Sequence, residues 1–243
     1  MSTVRERVAR VDLNADLGEE VTDDAGLLAV VTSANLACGY HAGSAEIMRA
    51  VCAEAARRGV VVGAQVSYAD RANFGRVALE VGYATLREQV ADQVGTLAAI
   101  AAEEGIAVGY LKPHGALYQR TREDAEQAAA VLDGSGELPV LGMPGELIAA
   151  ARAAGRRTWS EGFPDRAYER TETGERLRPR DRPGAVLTEE SEIVGQALRL
   201  AGRVESLCLH GDSPGAVAHA QAVRRALEAD GWVLAGLRDS STG

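Results

Sequence analysis

A chain of 243 residues with 46% hydrophobic and 25% charged content is long enough to bury a sizeable core and has the balance of an ordinary globular domain, which excludes disorder over most of its length. Its 35 acidic against 26 basic side chains leave a formal charge of -9, disfavouring a nucleic-acid footprint, which needs basic residues concentrated on one face. No window approaches the run of about 20 apolar residues that crosses a bilayer, and the opening MSTVRERVARVD lacks the apolar core of a signal peptide, so a cytoplasmic single-domain protein with no membrane or nucleic-acid partner is expected.

In chain order, short apolar and β-branched runs alternate with helical patterns. ARVDLNADLG and VTSANLACGY read as the first two strands. A helix follows with Ser44 as N-cap; Ile47, Val51 and Ala55 share a face, Arg57 and Arg58 sit in the last turn, and Gly59 closes it. After the strand VVVGAQVSY, the spacing Thr85-x-x-Glu88 predicts a capping box. The helix it opens keeps Leu86, Val90, Val94 and Leu97 on one side and stops at Gly105. IAVGYLKPHG, LPVLGM, RRTWSEGF and VESLCLHGD supply four more strands, with helices expected near 123–133, 145–154 and 189–201. A last helix is predicted from Ser213-Pro214 through Val217, Ala220, Val223 and Leu227 to Gly231.

Seven strands alternating with six or seven helices imply an α/β fold with a parallel sheet, and periodicity leaves open whether that sheet closes into a barrel. The segment 161–188 is long, charged and without apolar periodicity, as expected of a lid, binding loop or partner surface. Cys38, Cys52 and Cys208 show no CxxC spacing and are expected to be buried small residues rather than a disulfide or zinc framework.

In parallel α/β folds ligands bind where the carboxyl ends of strands open into loops. The polar residues at those ends are Asn14, Asp16 and Glu19; Asn35 and His41; Gln65, Tyr68 and Asp70; Lys112 and His114; Glu161; and His210 with Asp212. Three of four histidines thus fall at one rim. Singly, an Asp before a helix is a cap and a buried His a hydrogen-bonded core residue; together they point to an active site. Carboxylates and imidazoles suit acid–base work, and Lys112 suits charge neutralisation, with Pro113 restricting the backbone between it and His114. No nucleophile elbow, phosphate loop or dinucleotide fingerprint occurs. Asp16, His41 and another rim histidine are the residue types of a divalent metal site, but their spacing matches no metal motif and no ligand set is assigned.

VDLNADLGE, SANLACGYHAG, NFGR, LKPHGALY and CLHGD resemble, in order, the signature blocks of the LamB/YcsF family, over about residues 10 to 231. FPDRAYERTETGERLRPR is similar to that family's segment F-x-D-R-x-Y followed by a glycine and a basic run. The resemblance implies a seven-stranded parallel β/α barrel, TIM-like and similar to polysaccharide deacetylases. It implies ATP-dependent opening of the 5-oxoproline lactam to L-glutamate together with 5-oxoprolinase subunits B and C, the ATP bound here or by a partner. Matching positions become site candidates: Asp16, His41, Lys112, His114 and Asp212 as catalytic; Asn14, Glu19, Asn35, Arg76, Tyr118, Asp165, Arg166 and His210 as substrate-binding. Asp16 or His41 is expected to activate water, Lys112 to neutralise substrate charge, and His114 with Asp212 to carry protons. The chain departs from the family at Gln65, where histidine is usual, and at Ser44, where aspartate is usual; glutamine is no base and a poor metal ligand. The alternatives are a metal-dependent amide hydrolase or deacetylase without ATP, and a non-catalytic regulatory subunit.

Overall fold

The computed structural model describes residues 9–171, 174–180, 182–213 and 215–238. In chain order the elements are β1 (Arg10–Leu17), α1 (Asp24–Leu28), β2 (Ser33–Ala37), α2 (Ala45–Arg58), β3 (Val61–Val66), α3 (Tyr83–Glu103), β4 (Val108–Pro113), α4 (Gly115–Glu123), α5 (Ala125–Gly134), β5 (Val140–Gly142), α6 (Glu146–Ala153), β6 (Thr158–Gly162), β7 (Tyr168–Thr171), β8 (Gly174–Leu177), α7 (Glu190–Ala201), β9 (Ser206–Leu209), α8 (Ala216–Ala229) and β10 (Val233–Leu234). Strands β1, β2, β3, β4, β5, β6 and β9 pair in parallel in that order, and β9 returns to β1, closing a seven-stranded barrel. The seven strands read from the sequence are these seven. The question left open by periodicity, barrel or open sheet, is decided by the β1–β9 pairing.

The side-chain alternation of a strand accounts for the layering. In β1, Val11, Leu13, Ala15 and Leu17 join the main apolar cluster with residues of the surrounding helices, among them Met48, Val51, Leu86, Leu97 and Val223. The alternate residues Asp12, Asn14 and Asp16 are buried too and hydrogen-bond to side chains of β2 and β9 across the barrel interior. Tyr110 crosses this interior because β3 carries glycine opposite it: a Cβ on Gly63 would lie 2.2 Å from the Tyr110 ring. Tyr110 packs with Val61, Leu141, Trp159 and Leu237 in a second apolar cluster.

The helices form for local reasons. Ser44 Oγ accepts the Ile47 N–H at 3.3 Å at the start of α2, and Gly59 ends it at φ +69°. The predicted capping box is corrected: α3 starts at Tyr83 with Gly82 as N-cap, so Thr85 lies inside the first turn and makes no cap bond. Extended backbone at Gly82 lets the chain enter the helix three residues early, and Asp124 instead provides a side-chain cap further on, accepting from Glu126 and Gln127. The last helix opens at Ala216 after Gly215 in a left-handed conformation, later than Ser213, while Pro214 lies outside the described residues.

Five elements have no counterpart in the sequence reading: α1, α4, β10, and β7 with β8, which form a hairpin. The hairpin occupies the segment 161–188. Its four antiparallel pairs run from Tyr168↔Leu177 to Thr171↔Gly174, and Arg166 donates to the carbonyls of Ala185 (3.1 Å) and Arg178 (2.8 Å), drawing its flanks together. Tyr168 packs against the main apolar cluster and Leu177 against Tyr118 and Phe163, but the charged side chains between them hide the period of a two-stranded ribbon. Among the described residues no helix is long and apolar enough to cross a membrane.

Candidate active site

Strand register builds the site. It sets Asp16 beside Asn35, Ala37 beside Gln65, and Gln65 beside Lys112, so residues far apart in sequence meet at the carboxyl end of the barrel. Beneath them runs a buried polar column. Tyr110 Oη donates to Asn35 Oδ1 (2.7 Å), which obliges the Asn35 amide nitrogen to point at Asn14 Oδ1 (2.6 Å) and Asp16 Oδ1 (2.8 Å). Asn14 in turn donates to Ser206 Oγ (2.6 Å), and Ser206 to Asp12. A network with its donors and acceptors committed this way fixes the Asp16 carboxylate in one orientation. Burial pushes Asp12 up to about 6, even though hydroxyls of Ser206, Ser33 and Thr32 work against that.

Lys112 is buried, with its ammonium 2.9 Å from Glu161 Oε2, 3.6 Å from Asp16 Oδ1 and 3.0 Å from Cys208 Sγ. The Glu161 contact is an ion pair without hydrogen-bond alignment. Burial by itself would depress this ammonium; Cys208, Glu161 and Asp16 outweigh it and hold Lys112 above the ordinary lysine range. Burial also pushes the Cys208 thiol up, so the two carboxylates carry the compensation. Cys208 is therefore free and buried as expected of its type, but it touches the site's lysine rather than only filling space.

Beside this pair stand Glu19, His41 and His114. The imidazoles are stacked, with centroids 4.1 Å apart and planes 14° from parallel, and Glu19 Oε1 lies 3.6 Å from Nε2 of each. Phe74 meets both rings edge-on at 5.7 Å. Burial, reinforced by Asp16 and Asp212, raises the Glu19 carboxyl well above its usual range. Burial lowers His41 to about 4, and burial together with His41 and Arg76 lowers His114 well below ordinary histidine. Burial thus favours the uncharged form of all three groups, a protonated Glu19 beside neutral rings. Glu19 Oε1, both His41 nitrogens, His114 Nδ1 and both polar atoms of Gln65 are buried without a hydrogen-bond partner. Unsatisfied groups at this density are a site's signature rather than a core's.

Glu19, His41 and His114 are also the donors able to hold a metal, their ligand atoms all within 4.8 Å of one another. The stack tests that fit. A ring nitrogen's lone pair lies in the ring plane, so with the rings stacked, centroids 4.1 Å apart and 14° from parallel, one ring would turn before both lone pairs met one ion. As arranged, the donor set suits proton exchange better than chelation.

The outer rim comes from the loops. Asp165 Oδ2 accepts both the backbone N–H and the ring Nδ1 of His210, each at 2.9 Å. Burial favours the neutral acid there, but His210 and Arg166 overcome it and Asp165 sits below its usual range. Asp212 is gripped by Arg180 (3.1 Å) and by Arg76, which likewise overcome burial and keep it ionised. Asp212 accordingly has the geometry of an anchor for the loop rather than of a proton carrier. A cavity of about 440 Å³ opens among Asp16, Gln65, Lys112, His114, Tyr118, Phe163 and His210, with Arg76 and Arg166 also on its wall.

The candidates therefore divide into layers. Asp16, Lys112, His114, Tyr118, Arg76, Arg166 and His210 reach the cavity; Glu19 and His41 back His114; Asn14 and Asn35 lie beneath Asp16; Asp165 and Asp212 hold rim residues. Tyr118 Oη accepts the Met143 N–H at 2.7 Å, and burial pushes its phenol up. Two rim residues named from the third strand serve structure: Tyr68 donates to Gln127 (2.9 Å), and Asp70 accepts Asn73 (2.7 Å) and the Gly75 N–H (2.8 Å) within its own turn. What sequence reasoning missed is Phe163, Arg122, Arg176, Arg178 and Arg180 on the cavity wall. The basic run RLRPR was the available sign of the last three.

A family model described as the LamB/YcsF family matches residues 11–242. A protein of Streptomyces avermitilis that carries the name of the A subunit of 5-oxoprolinase is 51% identical over 245 residues, covering 91% of this chain and 97% of that protein. Its counterpart of the same name in Streptomyces coelicolor is 50% identical over the same span. The crystal structure of a lactam utilization protein from Thermus thermophilus superposes with a TM-score of 0.86 at 34% identity, covering 94% of this chain and all of that one. The catalytic domain of a peptidoglycan N-acetylglucosamine deacetylase from Eubacterium rectale shares the fold alone, with a TM-score of 0.55 at 12% identity over all of this chain and 94% of its own.

Proposed function

Since the chain belongs to the LamB/YcsF family, we propose that it is one component of a 5-oxoprolinase that opens the 5-oxoproline lactam to L-glutamate with ATP and partner subunits B and C. The observation that carries this reading is identity of about half the residues, over 91% of the chain, to relatives that carry the name of the A subunit of 5-oxoprolinase. The site's chemistry supports it. Opening a lactam needs a water made nucleophilic and a nitrogen protonated as it leaves.

In this mechanism the neutral imidazole of His114, the one of the stacked pair that lines the cavity, accepts the proton of the attacking water, and protonated Glu19 behind it, 3.6 Å from both rings, returns a proton toward the leaving nitrogen by way of His114. Asp16, oriented by Asn35, positions the water. Lys112 already faces two carboxylates, so it holds Asp16 and Glu161 in place and leaves substrate charge to the rim arginines. An unstrained amide resists water through resonance, and phosphorylation of the lactam oxygen by ATP would relieve that resistance. The phosphorylating nucleotide binds on a partner protein in this scheme, in keeping with the missing phosphate loop.

The test is glutamate release from 5-oxoproline with ATP, for this chain alone, with its presumptive partners, and with Gln65→His. Release that requires partners and ATP is the expected result. Silence in the wild type with activity restored by Gln65→His would mean that the chain has lost or changed the chemistry of its relatives. The metal-dependent alternative draws on the three donors Glu19, His41 and His114; amide cleavage without ATP that a chelator abolishes would replace the present reading with it.

A further inference from the structure

The cavity is far more basic than the chain. In a protein of net charge -9, Arg76, Arg122, Arg166, Arg176, Arg178 and Arg180 join Lys112 on its wall, against only Asp16 and Glu123 as acids among the described residues. Among the described residues their compensation is incomplete. Arg76 and Arg180 share one carboxylate, Asp212. Arg176 meets Glu169 at 2.8 Å, and the same Glu169 is 3.9 Å from Arg178. Arg122 is held on Pro144 O (3.3 Å) and Gln119 Oε1 (3.0 Å), and Arg166 on two loop carbonyls, so neither has a carboxylate partner within 4.0 Å among the described residues. Burial and then the neighbouring Arg180 push the Arg166 guanidinium below its ordinary range, the mark of cations crowded together.

Mutual repulsion of this kind is relieved by an anion, and the size of the excess selects which. A single carboxylate needs one guanidinium fork. A phosphoryl group offers two negative charges and three strong acceptor oxygens, which several planar forks on different elements can share. We propose that Arg122 of α4 and Arg178 and Arg180 beyond the β7–β8 hairpin, with Arg76 and Arg166, form a phosphoryl-binding subsite in the cavity wall. The hairpin exists to carry these side chains over the barrel mouth, fixed there by Arg166 and by the Arg180–Asp212 pair. The subsite serves a phosphoryl group: with the nucleotide on a partner protein its source is an activated small acid, and the terminal phosphates of a nucleotide are the other source, which the titration separates. It rests on the lactam reading only in sharing its cavity, since binding a bare phosphate requires no turnover.

The experiment is calorimetric titration of the whole chain, without partners, with inorganic phosphate, pyrophosphate and ATP at two salt concentrations. Wild type is compared with Arg122→Gln, Arg178→Gln, the charge-keeping Arg122→Lys, and Arg157→Gln, whose side chain pairs with Glu205 away from the cavity wall. The expected result is phosphate binding that weakens with salt, falls at least tenfold in each cavity glutamine variant, falls less in Arg122→Lys, and is unchanged in Arg157→Gln. ATP binding tighter than pyrophosphate assigns the subsite to a nucleotide; phosphate and pyrophosphate binding without ATP assigns it to a phosphorylated small acid. No phosphate binding by the folded wild type, or equal binding in the folded glutamine variants, overturns the subsite. Glutamate release is measured separately: its absence with phosphate binding intact counts against the lactam reading and leaves the subsite standing.

Discussion

Replacing Lys112 by methionine removes one charge and almost no volume, so the consequence is electrostatic. In the native site one buried ammonium lies 2.9 Å from Glu161 and 3.6 Å from Asp16, and both carboxylates are themselves almost wholly buried. Lys112→Met leaves two carboxylates facing each other without a cation or bulk water. Removing one partner of a buried pair costs about 3–5 kcal/mol, because the surviving charge stays desolvated. For a domain of this size, each 1 kcal/mol moves Tm by roughly 2–4 °C, so a drop on the order of 10 °C is expected. The assay is denaturant unfolding of wild type, Lys112→Met, Glu161→Gln and the double variant. Glu161→Gln in the Lys112→Met background should restore more than half of the loss, since it removes one of the stranded charges. A Lys112→Met protein within about 1 kcal/mol of wild type would refute the argument that this lysine is the site's electrostatic keystone.

The Glu19 cluster predicts a pH dependence with a definite sign. His41 sits at about 4 in the fold against 6.5 in an open chain, so the unfolded state takes up the proton first, and stability falls as pH drops from about 6.5 toward 4. That contribution is on the order of 3 kcal/mol, and unfolding of His41→Asn across this range should lack it. Glu19→Gln mimics the protonated acid and should fold normally while losing about 10²–10⁴ in turnover; unchanged glutamate release from the assembled enzyme would remove Glu19 from the mechanism. Gly63→Ala places a methyl 2.2 Å from the buried Tyr110 ring and should cost about 1–3 kcal/mol or more, read from unfolding midpoints, with Tyr110 displaced from Asn35. Arg166→Ala strips the hairpin flanks of two charge-assisted hydrogen bonds, so limited proteolysis should cut within 163–188 much faster than in wild type, while the barrel stays resistant.

The strands were legible because their apolar runs are bounded by polar turn residues, and the rim was legible because parallel folds place chemistry at strand ends. Asp16, Lys112 and His114 were found on that ground and reach the cavity. Thr85 shows where local reasoning fails: a capping spacing fits many short stretches, and only the path of the preceding backbone, extended here at Gly82, decides where a helix begins. The β7–β8 hairpin was hidden because only Tyr168 and Leu177 of its short strands pack against apolar clusters, too few to show an apolar period.

The amino-acid sequence by itself determined the seven strands, most of the helices between them and the end of the sheet at which the polar residues gather, because these follow from short-range periodicity and chain direction. Closure of the barrel, the meeting of Glu19 with His41 and His114, the two carboxylates around Lys112, and the arginines drawn to one wall were decided only by the tertiary structure. Each joins residues tens to well over a hundred positions apart. Such distances are set by strand register and by the packing of loops over the barrel mouth, and no local pattern of residues encodes them.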